Sequence, residues 1–164
     1  MTIILIVVFY LMAFSVNFKV DPVSVSQIDT YYNEKAELAI DGDLTTKSNT
    51  NSAWDTDLWY KMRFDAVRCF SEVVIVQAHL NSKANRMNDT KVFVVNTNTG
   101  TESLCGILKA STDLTIEGQT YRIPCNLKCG DEVKLTVRHD NGKYDNPACI
   151  HMIEIVAYHI AGLI

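Results

Sequence analysis

Apolar and polar side chains alternate from residue 58 to residue 65, and this is the clearest structural signal in the chain. Because successive side chains of a strand point to opposite faces, the alternation predicts a strand with one buried and one exposed face. The predicted buried face carries Leu58, Tyr60, Met62 and Phe64, and the other face carries Trp59, Lys61, Arg63 and Asp65.

Shorter strand patterns recur along the chain between turns rich in Gly, Asn and Asp. Residues 73–76 form a β-branched run typical of a strand buried on both faces, and residues 65–69 read as the connector before it. No long amphipathic helical pattern occurs, so we predict an all-β sandwich or barrel. Further predicted strands are one edge strand within residues 23–28, and strands at residues 91–95, 133–137 and 150–158.

The amino-terminal residues 3–14 are apolar throughout. Twelve residues are too few to span a bilayer as a helix but suit the core of a signal peptide, with cleavage after Ser15. A buried strand or a membrane anchor is the alternative interpretation. We predict a signal peptide at residues 1–15 and a single secreted, extracellular domain at residues 16–164 that has no membrane contact after cleavage.

Composition narrows the partners and the compartment. The formal net charge of −4 and the scattered Lys and Arg residues give no reason to expect nucleic acid as a partner. Five cysteines in a secreted domain predict disulfides and one remaining thiol, either free or intermolecular. The sequence Asn88-Asp89-Thr90 is an N-glycosylation sequon, which makes Asn88 a candidate glycan acceptor.

An acidic turn, Asp41-Gly42-Asp43, precedes a loop of Thr, Ser and Asn. Carboxylates, hydroxyls and backbone carbonyls are the ligands that a hard cation such as Ca²⁺ prefers. A plain Asp-Gly turn without an ion is the alternative.

Catalytic motifs are absent from the sequence. The four His residues are dispersed, and no nucleophile-elbow, P-loop or Rossmann glycine pattern occurs. Asp41 with Asp43, or Asp55 with Asp57, could be imagined as a glycosidase pair, but acids adjacent on one loop do not easily face each other across a sugar at ~5–10 Å. We therefore predict that the protein is not an enzyme.

Several features, in a fixed order, resemble the fucolectin (F-type lectin) branch of the discoidin-like, galactose-binding-domain proteins. They are the Ala-Ile-Asp-Gly-Asp run at 39–43 with its polar loop, the strand at 58–64, the run at 73–76, the segment between Cys105 and Cys125, and the Glu-Ile-Val-Ala-Tyr ending at 154–158. The resemblance implies a discoidin-like jelly-roll β-sandwich of about eight strands, with sugar recognition in loops at one end.

The resemblance also implies a structural calcium site. Asp41, Asp43, Thr46 and Glu154 fall where the family places its calcium ligands. If the carboxy-terminal motif is aligned two residues away, Met152 replaces Glu154 and the site loses that carboxylate.

The family's fucose site uses one His and two Arg seven residues apart. Arg86 matches the second Arg, His79 lies where the first Arg is expected, and Asn49 lies where the His is expected. A guanidinium offers a rigid set of N–H groups to sugar hydroxyls, so Arg86 is the matching anchor, while Asn49 and His79 are substitutes that can still hydrogen-bond. Trp54 or Tyr60 could supply an apolar wall for the sugar.

The cysteine positions match those of the family only in part. A bridge between Cys105 and Cys125 matches a family disulfide, which leaves Cys69, Cys129 and Cys149 with three open pairings. The sequence thus predicts a secreted, lectin-like module whose partners are glycans or glycoproteins, and the unpaired cysteine could supply a covalent homodimer. The alternative is the same fold with a lost sugar site, acting as an extracellular protein-interaction or adhesion module.

Overall fold

The computed structural model describes residues 16–78, 84–109 and 118–160, so the predicted signal peptide at 1–15 lies outside the described residues. Within them the chain forms strands and two short 3-10 helices, Ala36–Ala39 and Ala84–Met87, which confirms the all-β class. The strands are β1 Asn17–Val20, β2 Ser24–Gln27, β3 Ser48–Asn49, β4 Leu58–Gln77, β5 Lys91–Asn96, β6 Thr101–Ile107, β7 Thr120–Val137 and β8 His151–Ile160.

The long strands β4 and β7 pair along both of their halves and connect the two layers of a jelly-roll sandwich. The first half of β4 pairs with the second half of β7 and with β2, and β5 and β6 continue from β7. The second half of β4 pairs with the first half of β7 and with β8, to which β1 and β3 are attached. The two layers enclose one hydrophobic core.

One detail of the predicted strands is wrong, and one strand was not predicted. Residues 65–69 are not a connector, because β4 continues through them with register shifts between Arg63 and Arg68 and between Phe70 and Glu72. Such bulges let a strand bend from one layer to the other without giving up its ladder. The edge strand predicted within residues 23–28 is confirmed as β2, which pairs with β4, but β1, which precedes it and pairs with β8, was not predicted.

The predicted buried face of β4 is confirmed. Leu58, Tyr60, Met62 and Phe64 are at most 3% exposed. The Tyr60 hydroxyl donates a hydrogen bond of 2.9 Å to the Ala36 carbonyl, which satisfies its polar end inside the core. Tyr60 is therefore a core residue, and its assignment as a wall for a sugar is wrong.

Two disulfides form. Cys105 and Cys125 are bonded as the resemblance implied, and Cys69 bonds Cys129, which resolves the open pairing. Cys149 is free and only 1% exposed. A covalent dimer through Cys149 is therefore not available to the folded chain, because its sulfur does not reach the surface.

The described helices are too short or too polar to cross a membrane as a helical span. One end of the sandwich, which we call the loop end, is formed by segments 50–57, 84–90 and 138–150. Both ends of β4 lie at this end of the sandwich. There Leu58, at the start of β4, pairs with Val137, and Val76, near its end, pairs with Thr120.

Candidate functional site

Arg86 lies at the loop end, on the 3-10 helix Ala84–Met87. Its carbonyl accepts a hydrogen bond of 3.2 Å from the Cys149 amide, and its Nη1 donates to the Ser52 hydroxyl. The Nε group is buried and has no hydrogen-bond partner among the described residues. The guanidinium is thus fixed by its neighbours while part of its donor capacity stays unused.

Asn49 lies in the same cluster, but deeper. It is 3% exposed, its Nδ2 donates 2.7 Å to Glu34, and its Oδ1 accepts 2.7 Å from the Cys149 thiol. The structure therefore brings Asn49 and Arg86 together around Cys149, with the Asn49 amide already occupied in the floor of the cluster. His79 lies outside the described residues.

Two titratable groups near Arg86 stay uncharged because they are buried. Desolvation raises the pKa of the Cys149 thiol, against lowering contributions from Thr50, Ser52 and Arg86. Desolvation also lowers the pKa of His151 to about 3. At neutral pH neither Cys149 nor His151 therefore adds a charge beside Arg86.

Two exposed aromatic residues border the cluster, and the sequence patterns did not single them out. Tyr31 and Tyr32 are 43% and 83% exposed, and their rings meet edge to face with centroids 4.5 Å apart. The Tyr31 amide donates 3.0 Å to the Asn49 carbonyl, and Tyr32 has a φ of 52°. A non-glycine residue with positive φ that exposes its ring is unusual, and such residues are enriched at functional sites.

The acidic turn brings oxygen atoms together around Thr46. The Thr46 hydroxyl lies 2.8 Å from a carboxylate oxygen of Asp41, 3.0 Å from the Asp43 carbonyl and 3.3 Å from the Leu38 carbonyl. Hydrogen bonds from the Thr45 side chain and amide hold the pKa of Asp43 below its usual value. The donor set consists of oxygen alone, and it fits a hard cation in chemical type.

Glu154 is not grouped with this turn. It lies in β8 opposite Val76, and among the described residues no three His, Cys, Asp or Glu side chains lie close enough to share an ion. Met152, which a shifted alignment would put in its place, is fully buried and pairs with Ser48. The structure thus joins Asp41, Asp43 and Thr46 by hydrogen bonds, and the role of Glu154 stays a prediction.

The predicted glycan acceptor Asn88 also belongs to the loop end. It is half-buried, and its carbonyl oxygen lies 3.0 Å from Nε2 of His139. Thr90, the third residue of the sequon, is fully buried. Glycosylation of Asn88 stays a prediction, and a glycan there would lie two residues from Arg86.

Comparisons with known proteins place this architecture among solved structures. It is similar to a fucolectin from the serum of striped bass (Morone saxatilis), with a TM-score of 0.67 and 15% identity over 84% of this chain and 45% of that chain. It is also similar to a family 32 carbohydrate-binding module of C. perfringens NanJ solved with galactose, with a TM-score of 0.67 and 14% identity over 88% of this chain and 100% of that one. A Streptococcus pneumoniae fucose-binding module gives a TM-score of 0.67 and 14% identity over 87% of this chain and 96% of that one.

No protein-family model and no curated protein matches the sequence. The chain spans 45% of the fucolectin chain, less than half of it. At 14–15% identity these likenesses concern the fold alone. The chain therefore has the discoidin-like β-sandwich fold of these lectins and carbohydrate-binding modules, as the sequence resemblance predicted.

Proposed function

We propose that the protein is a secreted, non-enzymatic carbohydrate-binding module that holds a glycan at its loop end through Arg86. The observation that carries the proposal is the half-buried Arg86 guanidinium at that end of the sandwich, which Ser52 holds through Nη1 and whose other terminal amino group, Nη2, has no hydrogen bond among the described residues. Solved proteins of the same fold include a fucolectin, a module solved with galactose and a fucose-binding module, which supports a sugar as the ligand class.

The cluster suits the polar side of a sugar. Arg86 donates to hydroxyls or to the ring oxygen, because its N–H groups form a rigid fork and it is always charged. Asn49 keeps the floor of the cluster in place through Glu34 and Cys149. His79 is the second proposed polar contact, and fucose is the leading candidate ligand.

The exposed tyrosines suit the apolar side of the same sugar. An aromatic ring packs well against the C–H face of a pyranose, and its hydroxyl remains available at the wet edge. Tyr32 is the proposed wall, since it is 83% exposed and its segment is hydrogen-bonded to the Asn49 backbone.

The decisive experiment is a glycan array with the full secreted chain, its Arg86→Gln variant and the matched control Arg63→Gln. The Arg63 side chain is 56% exposed and lies 3.9 Å from the Asp131 carboxylate, at the opposite end of the sandwich. We expect binding to sugars of the fucose or galactose class, an affinity loss of about tenfold or more in Arg86→Gln, and no loss in the control. Equal binding by both variants would refute Arg86 as the ligand contact, and a silent array would favour the protein-interaction module instead.

Calcium is the proposed structural cation, with Asp41, Thr46 and the carbonyls of Leu38 and Asp43 as its ligands. A bound ion would stiffen the turn that leads into β3, the strand that carries Asn49. We expect EDTA to lower Tm by about 5–10 °C relative to a saturating calcium concentration. Asp41→Asn should abolish this response, whereas Asp21→Asn, an exposed control, should keep it.

A Glu154→Gln variant decides whether the β8 carboxylate contributes to this site. An unchanged calcium response would exclude it from the ligand set. A Tm that is the same in EDTA and in calcium would contradict the cation proposal altogether.

A further inference from the structure

A second candidate ligand site, lined by other residues than the Arg86 cluster, lies at the loop end. A cavity of about 360 Å³ is lined by Asp57, Asp89, Lys91, Arg138, Lys143 and Tyr144, among others. A neighbouring cavity of about 260 Å³ shares Asp57, Lys91 and Thr136 with it. The shared residues make the two cavities one continuous groove, which we call the side groove.

We propose that the side groove binds an acidic oligosaccharide, a chain of uronic-acid residues, independently of Arg86. The argument rests on a fixed aromatic ring, on two lysines that have no ion pair among the described residues, and on two further aromatic side chains along the groove.

Tyr144 is held in one orientation where it lines the cavity. Its ring stacks on His139 with centroids 4.0 Å apart and an interplanar angle of 7°, and its hydroxyl donates 2.9 Å to Asp89. His139 is 1% exposed, and its ring nitrogens lie 2.8 Å and 3.0 Å from the carbonyls of Asn146 and Asn88. His139 thereby ties together the two segments that border the cavity, so the groove is built before any ligand arrives.

Four cationic side chains and four carboxylates line the two cavities, but two of the carboxylates already pair with lining cations, Glu102 with Lys134 and Asp140 with Arg138. The carboxylate of Asp89 is occupied by Lys109 and Tyr144. Arg138 donates through Nε to Asp140 at 2.8 Å, and its terminal amino groups make no hydrogen bond within the described part of the chain. Lys91 and Lys143 have no carboxylate partner among the described residues.

Asp57 is the remaining carboxylate of the cavity without an ion pair among the described residues. A uronate matches this arrangement, because its carboxylate can take the ammonium and guanidinium donors while its hydroxyls donate to Asp57. Thr136, which lies in both cavities, can donate to or accept from the same sugar.

Aromatic side chains continue the groove along the outer face of the first layer. Trp59 and Phe93 are half-buried and line the second cavity, and their backbones lie on either side of β7, opposite Thr136 and Lys134. Two strand spacings and an offset of two residues separate Trp59 from Phe93, so their backbones stand ~12 Å apart and the two rings can contact different sugar rings of one chain. A chain of several residues therefore fits this groove better than a single sugar.

The test titrates the full chain with de-esterified oligogalacturonate and with the same oligomer fully methyl-esterified. Trp59 fluorescence and calorimetry are recorded together, since Trp54 is the other tryptophan of the chain. We expect the acid to bind about tenfold more tightly than the ester, and the Lys91→Gln/Lys143→Gln double variant to lose about tenfold in affinity with a weaker salt dependence.

Matched controls separate this site from the Arg86 site. Lys19→Gln, a half-exposed lysine at the opposite end, and Arg86→Gln should both bind the acidic oligomer like the wild type. Trp59→Phe should lose the fluorescence change while calorimetry still reports binding.

Three results would overturn the proposal: equal affinity for the acid and the ester, a loss caused by Arg86→Gln as large as that of the lysine double variant, or no binding of the acidic oligomer. The first indicates recognition without the carboxylate, and the second places the oligomer at Arg86. The third shows that the side groove does not bind an acidic oligosaccharide. The glycan array tests the Arg86 site separately from this result.

Discussion

Acidification from pH 7 to pH 5 should destabilise the protein through one buried residue, His151. This side chain has no exposed surface, and its Nε2 lies 3.2 Å from the Gln77 amide nitrogen. Its Nδ1 has no hydrogen-bond partner among the described residues. Desolvation lowers the pKa of His151 to about 3, so the ring stays neutral in the folded state.

The sign and the size of this change in the free energy of unfolding follow from the linkage between proton binding and folding. In the unfolded chain the His151 pKa returns to about 6.5, so as the pH falls below that value the unfolded state binds a proton that the folded state refuses. The contribution to stability is therefore complete above pH ~6.5 and declines towards pH ~3. At pH 5 the loss in the free energy of unfolding is about 2 kcal/mol, and it depends mainly on the unfolded-state pKa because the folded-state value lies well below 5.

Carboxylates act in a different pH window. The hydrogen bond from Lys109 holds the pKa of Asp89 below its usual value of 3.8, so its contribution is lost only as the pH falls through that region and below. A loss of stability between pH 7 and pH 5 therefore reports on histidine and not on this ion pair.

The assay is urea unfolding of wild type, His151→Asn and His159→Asn from pH 5 to pH 8. Asparagine is neutral throughout, so His151→Asn should lose about 2 kcal/mol less than wild type between pH 7 and pH 5, whatever its absolute stability. His159 lies on the same strand but is half-exposed, which makes it the matched control. If the wild type and His151→Asn have the same pH dependence, the assignment of a buried neutral His151 is refuted.

Three further predictions test the packing. Gly130→Ala should cost about 2–3 kcal/mol in urea unfolding, because a Cβ at Gly130 would lie 2.3 Å from the Val95 carbonyl oxygen, and an unchanged midpoint would contradict this contact. Tyr60→Phe should cost about 1–3 kcal/mol by leaving the buried Ala36 carbonyl without its donor, and a neutral result would mean that water or another donor replaces it. Cys149 should react with thiol reagents only after unfolding, and rapid labelling of the native chain would refute its burial.

Local patterns sufficed for the parts of the fold that depend on neighbouring residues. The alternation at 58–65 identified the buried face of β4, because side-chain period and burial are linked directly in a strand. The strand at 91–95 and the bridge between Cys105 and Cys125 also correspond to β5 and to a disulfide of the structure. The bridge was found through resemblance to a family, not through the residues themselves.

Long-range contacts account for what the sequence did not reveal. Asn49 is polar in a polar loop, yet β3 pairs with β8 and buries it beside Cys149, which is one hundred residues away in the chain. The continuation of β4 through residues 65–69 depends on its ladder with β7, which no local pattern encodes. The side groove likewise joins residues of β4, β5 and segment 138–144, and Tyr144 gave no signal in the sequence because its role depends on His139 beneath it.

Amide NMR spectra of the isotope-labelled chain, recorded while a glycan selected on the array is added, test the central claim most directly. Carbohydrate binding at the loop end predicts that the shifted resonances cluster around Arg86, Ser52 and Tyr32. The resonances around the Cys69–Cys129 disulfide should stay unchanged. Shifts confined to the surroundings of the Cys69–Cys129 disulfide, or spectra that do not change with any array glycan, would contradict the account.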